Sequence, residues 1–583
     1  MGREALCVFA NGAPGTPDER DGEMLERSNK RPRVEVSRLA TWGEPVGAPL
    51  VPRPSSNAMG TPMAIQNVVE RHLGLPLSAR AEDSESSLGR MDIKGARSRY
   101  IGLGDRLALL DHVSGPSPLL VNIADFYQFS DEKNFIIGTF KDPNLSGLVQ
   151  EMSGYQKTFN PKRKQPGQTA EDRQSMILEM LHLLPEDSVI DVLVHRYVSD
   201  LENVLRVLHI PTFIKQCDEV KNLRRSGTST LPPHLPEAIV AQLLAVVVIT
   251  SRLNDSNDVV SAPIRISEDQ ITTSIYLLQK WLDTTKGKQR INLPVLRAQT
   301  LLLIARSANS TSMPELWNYS GILVRVAMIM GLHRDPEQLV EMSKFEKEQR
   351  RKIWRTIVEL DLQFSLATGM SPAVLSSDFN SMNLVHVDDY DLTEDMVEYP
   401  QPKSENIWTD ALPQIVLGLS IKERLDAAHI LAREIDLERD AHKIVVRAKN
   451  LEKLLHSLQK ALPTPPKGRS RVFPNIMLDI YLRRPSHALY RTVALSSIAS
   501  RFPEARKGAL RSSVAILSHI DALDPTVADL DTIKSRNYLN LFHILCRNEV
   551  VQSALFLCYE IRSYSLPRDP AMAERGFGEY RTR

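Results

Sequence analysis

The residues best placed to do chemistry in this chain are a few carboxylates and imidazoles. The densest acidic run is Asp388-Asp389-Tyr390-Asp391. Neighbouring aspartates on a helix that faces a cavity can hold magnesium against a diphosphate. That chemistry uses an Asp-Asp-x-x-Asp spacing, which this run does not keep, and Asn254-Asp255 supplies no matching second motif. The run therefore reads as a solvated acidic loop, and a magnesium-dependent all-α enzyme is the weakest of the functional readings. His209 sits in His209-Ile-Pro211-Thr-Phe213, with no second histidine at metal-binding spacing, and reads as a turn-stabilising hydrogen bonder. His333 follows Gly331 and reads as a cap or core hydrogen bonder. The chain has no phosphate-cradling GxxxxGK[ST] loop, no GxSxG elbow and no HExxH pair. Gly102-Leu103-Gly104 lacks the third glycine of a dinucleotide loop and follows no strong strand pattern. No catalytic, cofactor-binding or metal-binding residue is assigned.

Cys7, Cys217, Cys546 and Cys558 are the four cysteines, and none forms a CxxC pair. They suit a reducing compartment with free thiols and predict no stoichiometric zinc. The N-terminus lacks a signal-peptide pattern, and the longest apolar stretch, residues 238–250, is too short to span a bilayer. An intracellular, soluble protein is expected, with no membrane partner. A net charge of +1 excludes a chain that is basic throughout. One basic cluster, Lys30, Arg31 and Arg33 around Pro32, resembles a nuclear-import signal, with Lys162-Arg163-Lys164 as a weaker second.

The elements that must position these groups centre on residues 317–374. A helix with Trp317, Gly321, Val324 and Met328 on one stripe stops at Gly331, where the left-handed residue of a helix end is expected, and Leu332 clasps it. Asp335-Pro336-Glu337-Gln338 restarts the chain with an N-cap, a first-turn proline and a capping box. Ser343-Lys-Phe-Glu346 repeats that logic. A long helix then carries Ile353, Ile357, Leu360 and Phe364 on one stripe, with Trp354 and Val358 beside it, and ends at Gly369 and Pro372. Asp361 lies seven residues after Trp354, about 20° round the helix. A carboxylate so close to the apolar face needs a partner, and Arg334 or Arg355 is the expected one, as a buried ion pair.

The pieces Ala327-Met-Ile-Met-Gly331-Leu-His333-Arg334-Asp335, Arg350-Arg-Lys-Ile-Trp354, Glu359-Leu-Asp361 and Ser365-Leu-Ala-Thr-Gly369-Met-Ser-Pro372-Ala, in this order, resemble the middle homology region of fungal zinc-cluster transcription factors. Trp317, Gly331, His333, Arg334, Asp335, Trp354, Asp361, Gly369 and Pro372 are its expected structural core. Residues 88–113 resemble the short strand-like segment ahead of that region, and His209-x-Pro211-Thr-Phe213 resembles its opening motif.

The expected fold is all-α: packed helix hairpins behind a disordered N-terminal arm. Residues 1–87 form the arm, 88–180 a partly ordered linker and lead-in segment, 181–400 the regulatory domain, 401–566 a C-terminal helical region and 567–583 a frayed tail. Within these, helices are expected at 236–253, from Ser267 to Trp281, from Leu293 to Ser307, from Pro314, at 411–436, 438–462, 476–500, 504–523 and 538–563, with the helical body starting near Leu181.

The resemblance implies a nuclear transcription regulator working in RNA polymerase II-dependent gene control, with other transcription factors or co-regulators as partners and a small-molecule effector as a further candidate. The family's zinc cluster needs six grouped cysteines followed by basic residues. Only Cys7 precedes the helical body, so the cysteine-rich DNA-binding module is expected to be missing from these residues. DNA would then be reached through a missing module, such as an upstream exon, or through a partner. The alternative reading is a nuclear co-regulator with no DNA contact of its own.

Overall fold

The computed structural model describes residues 90–94, 97–102, 170–227, 231–252, 266–285, 287–309, 311–339, 342–378, 383–404, 406–463, 472–524 and 537–565. Cys7, Lys30, Arg31, Arg33, Lys162–Lys164, Asn254-Asp255, the N-terminal arm and the tail lie outside them.

Among the described residues the chain is helical apart from one hairpin, β1 (Arg90–Lys94) and β2 (Arg97–Ile101), paired antiparallel with Met91 opposite Tyr100 and Ile93 opposite Ser98. The helices begin with α1 (Ala170–Leu183), α2 (Asp187–Arg196), α3 (Ile210–Ser226), α4 (Ala238–Ser251), α5 (Glu268–Thr284), α6 (Leu293–Ala308) and α7 (Met313–Ile329). They continue through α8 (Lys344–Thr368), α9 (Leu412–Leu419), α10 (Ile421–Leu431), α11 (Leu437–Ala461), α12 (Val472–Ala494), α13 (Pro503–Leu523) and α14 (Asn537–Ser565).

The starts and stops follow local chemistry. Ser267 and Asn292 cap α5 and α6 by accepting from Gln270 N at 3.1 Å and Val295 N at 2.9 Å. Ser343 and Glu346 close a capping box on α8. At the end of α7, Leu332 N donates to Ala327 O at 3.0 Å and Gly331 N to Met328 O at 2.9 Å, with Gly331 at φ +76°. This is the left-handed stop expected at that glycine. Gly369 closes α8 at φ +72°.

Several expected boundaries differ. The helical body starts at Ala170, in the same helix that contains Leu181, because its first turn, Glu171 to Ser175, is polar and looks like linker. His209 is the N-cap of α3, so the His-x-Pro-Thr-Phe motif opens a helix, with Pro211 in its first turn. Residues 336–338 make one 3-10 turn, where the sequence suggested a short helix. The single helix expected over 411–436 breaks at Ser420 into α9 and α10. Strand β2 does precede Gly102.

One apolar cluster runs from Met176 to Cys546. Helix α4 is apolar all round and buried from Ala238 to Thr250, against α2 and α6. Its one long polar side chain, Gln242, donates to the Pro294 carbonyl at 2.8 Å. Helices α11 to α14 pack in succession, each on the next. A second cluster lies between α10, α11, α12 and α13, with Phe556 of α14 joining it.

Candidate functional site

Helix α8 carries the site. Every residue from Lys347 to Ser365 except Arg355 is buried, charged groups included. A stripe of Ile353, Ile357 and Phe364 implied one buried face, but between Lys347 and Ser365 the helix is enclosed on nearly every side. Each buried polar side chain must therefore find a partner on a different neighbour.

Arg350 points to the end of α7. It donates to Ser98 Oγ at 2.8 Å and to the Met330 carbonyl, while Ser98 Oγ donates to the same carbonyl at 2.9 Å. Hairpin β1–β2 is thus fastened to a carbonyl that a helix end leaves open. Tyr100 meets His333 edge-on at 4.8 Å, and the Arg334 guanidinium lies 5.4 Å from the Tyr100 ring centre. A Cβ on Gly331 would stand 2.1 Å from Met91 Sδ and 3.3 Å from Tyr100 Cβ. The Gly-Leu-His-Arg motif is a dock for the hairpin. His333 is held by ring contacts with Tyr100 and Trp354, and Nδ1 makes no hydrogen bond. That corrects the cap or core hydrogen bond expected of it. Burial, then Arg334 and Arg350, lowers its pKa to about 4, so the ring is neutral.

Arg351 reaches Asp335 Oδ1 and Glu337 Oε2, both at 2.8 Å, and Tyr399 Oη at 3.0 Å. Asp335 also caps the 3-10 turn by accepting from Glu337 N at 3.1 Å.

Lys352 is fully enclosed. Its ammonium donates to Asp389 Oδ1 at 2.9 Å, to Asp389 Oδ2 at 2.8 Å and to the Leu208 carbonyl, and Glu202 Oε1 is 3.6 Å away. Arg206 pairs with Asp389 as well, and Ile210 N donates to Asp389 Oδ2 at 3.1 Å. His209 Nε2 donates to the Asp389 carbonyl at 2.9 Å, a long-range bond in place of the turn bond expected of it, while Nδ1 meets Thr212 Oγ1 at 2.8 Å at the start of α3. Burial works to raise the Asp389 pKa, but Lys352 and Arg206 outweigh it and hold the carboxyl well below the usual range. Burial pushes Glu202 up to about 7 against the pull of Lys352.

This corrects the solvated-loop reading of residues 388–391. Asp389 has no exposed surface, while Asp388 and Asp391 share Lys403, at 2.5 and 2.8 Å. The carboxylates are consumed by cations of the chain itself. The signal was present in Arg350-Arg351-Lys352 and Arg206, but their partners are far off in sequence and no spacing points to them.

Among the described residues Asp361 has no ion-pair partner. It accepts from Ser320 Oγ and Ala373 N, both at 2.7 Å, and burial raises its pKa. The expected Arg334 partner is turned to Tyr100. The pair that does lock α8 to α10 is Glu359–Arg424, two-pronged at 2.7 and 2.8 Å, with Arg424 also donating to the Leu417 carbonyl. Trp317 Nε1 donates to Ser371 O at 3.0 Å and fixes the Gly369–Pro372 stop to α7. A cavity of about 30 Å³ lies where Phe364, Tyr481, Arg484 and Glu549 meet. That is room for about a water or two.

Residues 194–460 match the family described as fungal specific transcription factor domain. Over those residues the chain is similar to that domain. The matched span holds α3 to α10 and nearly all of α11, and with them every partner of Lys352 and Glu359 described above. The hairpin, α1 and α12 to α14 lie outside it. Transcription factor opdR of Penicillium oxalicum is 27% identical over 423 residues, 69% of this chain and 51% of that protein. The Zn(2)-C6 fungal-type transcription factor mpsB of Macrophomina phaseolina is 22% identical over 475 residues, 77% of this chain and 58% of that protein. Transcription factor lepE of Aspergillus flavus is 27% identical over 248 residues, 42% of this chain and 28% of that protein. The chain thus spans about half the length of opdR and mpsB. No solved structure matches it.

The zinc in the printed name of mpsB does not fit the described residues. Among them no group of three or more His, Cys, Asp or Glu could hold a metal ion. Cys217 on α3 and Cys546 on α14 are buried thiols whose pKa burial pushes up, and Cys558 is exposed.

Proposed function

We propose that this chain is a regulator of RNA polymerase II-dependent transcription, with the helical body as its regulatory part. The observation that carries the reading is the match of residues 194–460 to the fungal specific transcription factor domain, in the company of relatives named as transcription factors. The buried carboxylates act as structural counter-ions in this reading and not as catalysts, since each is met by cations or donors of the chain. Transcription factors or co-regulators are the partners, and DNA is reached through a zinc module outside these residues or through a partner. Lys30, Arg31 and Arg33 serve nuclear import. The parts work as an arm (1–87), a lead-in (88–180), a regulatory domain (181–400), C-terminal helices (401–566) and a tail (567–583). A small-molecule effector would have to open the narrow cavity beside Phe364 and Arg484.

The test is a fusion of the full chain to a heterologous DNA-binding domain, read on a reporter in a fungal host. Output should depart from that of the DNA-binding domain alone, upward or downward. Unchanged output from a well-expressed nuclear fusion refutes the reading. In the same host, changing Lys30, Arg31 and Arg33 to alanine in a fluorescent fusion should abolish nuclear enrichment, and unaltered enrichment would remove the import assignment.

A further inference from the structure

Helix α14 lies outside the matched domain and turns an unusual face outward. Val551, Leu555 and Tyr559 are 49%, 64% and 47% exposed. Their spacing of four residues puts them within about 80° of one another on the helix. Single exposed apolar side chains need no explanation, but a run on one face does. The Tyr559 ring also rests on buried Phe556, with centroids 6.4 Å apart, so the stripe has a firm floor.

The charges on this helix are sorted. Arg547 and Arg562 are exposed and lie about 40° and 20° from Val551, one before the stripe and one after it. The only acids of α14, Glu549 and Glu560, lie about 160–180° round from Val551 and are buried. Glu549 is paired with Arg484 at 2.5 Å and Glu560 with Arg506 at 2.6 Å. Among the described residues the outward face of α14 is therefore apolar with cationic ends, and neither of the helix's own acids lies on it. The sequence that follows has four arginines against Asp569, Glu574 and Glu579, a positive balance.

We infer that this face docks an acidic amphipathic helix of a partner protein. Apolar residues of the partner at i, i+3, i+4 and i+7 would cover Val551, Leu555 and Tyr559. Its flanking carboxylates would meet Arg547 and Arg562, which also steer the encounter.

The experiment uses the full chain and a fluorescein-labelled helical peptide. Leucines in that peptide repeat at i, i+3, i+4 and i+7, and its flanks are aspartate and glutamate. The control keeps the leucines and carries lysine and arginine on the flanks. Fluorescence anisotropy at physiological salt should show binding of the acidic peptide alone. Leu555→Asp should weaken it about ten-fold or more, and so should Arg547→Glu combined with Arg562→Glu. All three positions are exposed, so the thermal melt of each variant should match the parent. Three results would overturn the inference: no binding of the acidic peptide, equal binding of the basic control, or affinity indifferent to Leu555→Asp. A parent dimer that Leu555→Asp dissociates in sedimentation would overturn it as well, by making a second copy the occupant.

Discussion

Asp389→Asn is the sharpest test of how the body is held together. The substitution keeps the shape of the side chain and removes its charge. In the parent, Asp389 faces two cations, Lys352 and Arg206, inside a site where all three side chains are almost wholly enclosed. Removing one partner of a buried ion pair costs about 3–5 kcal/mol, because the remaining charge stays buried. Here two cations lose their counter-ion, which argues for the upper end. Glu202 lies 3.6 Å from Lys352 and would ionise more readily once Asp389 is neutral, which argues for the lower. We expect about 4 kcal/mol. Lys352→Met should cost less, because Arg206 still neutralises Asp389. The double variant should cost less than the sum of the two, by about 1–3 kcal/mol. The assay is denaturant unfolding at neutral pH on the parent, both single variants and the double. Amide exchange over residues 208–213 provides a local readout, since Ile210 N donates to Asp389 Oδ2. A loss below about 1 kcal/mol for Asp389→Asn, or coupling below about 0.5 kcal/mol, would refute the view that this pair ties α3 to α8.

Three further outcomes follow. Gly331→Ala places a side chain at φ +76° and a Cβ against Met91, so it should cost about 1–3 kcal/mol and release the hairpin; limited proteolysis within residues 90–101 should speed up, and an unchanged cleavage rate would argue against the dock. Burial raises the Glu202 pKa to about 7 from an ordinary 4.5, so its contribution is full below about pH 4.5 and is lost as pH rises to about 7; Glu202→Gln should flatten the fall in stability between about pH 4.5 and 7, measured as unfolding midpoints across that range, and parallel curves would show that another group is responsible. Asp361→Ala leaves the Ala373 N–H without its acceptor, while Ser320 Oγ keeps the Trp317 carbonyl at 2.8 Å, for about 1–3 kcal/mol; with Arg334→Ala it should be additive in denaturant unfolding, whereas marked coupling would restore the ion pair expected from the sequence.

The sequence by itself determined the local events. Caps and stops are made between residues three to five apart, so Ser343 with Glu346, Asn292 with Val295 N and the glycine stop at Gly331 are legible from residue type and spacing. The apolar run of α4 announced a central helix for the same reason. The start of helix α1 escaped because its first turn, Glu171 to Ser175, is polar and resembles linker. The partners of buried charge could not be read this way. Asp361 was flagged correctly as a buried carboxylate, yet any nearby arginine was an equal candidate on paper. Three-dimensional packing gave it Ser320 and Ala373 N, and gave Arg334 to Tyr100. Asp389 looked like one more solvated acid in an acidic run, because nothing within the run shows that Lys352 and Arg206 converge on it from 37 and 183 residues away. Helix periodicity reports which face is apolar. It is silent on whether the polar face is also covered, and in α8 that covering by α7, α9, α10 and the hairpin is a property of the assembled body alone.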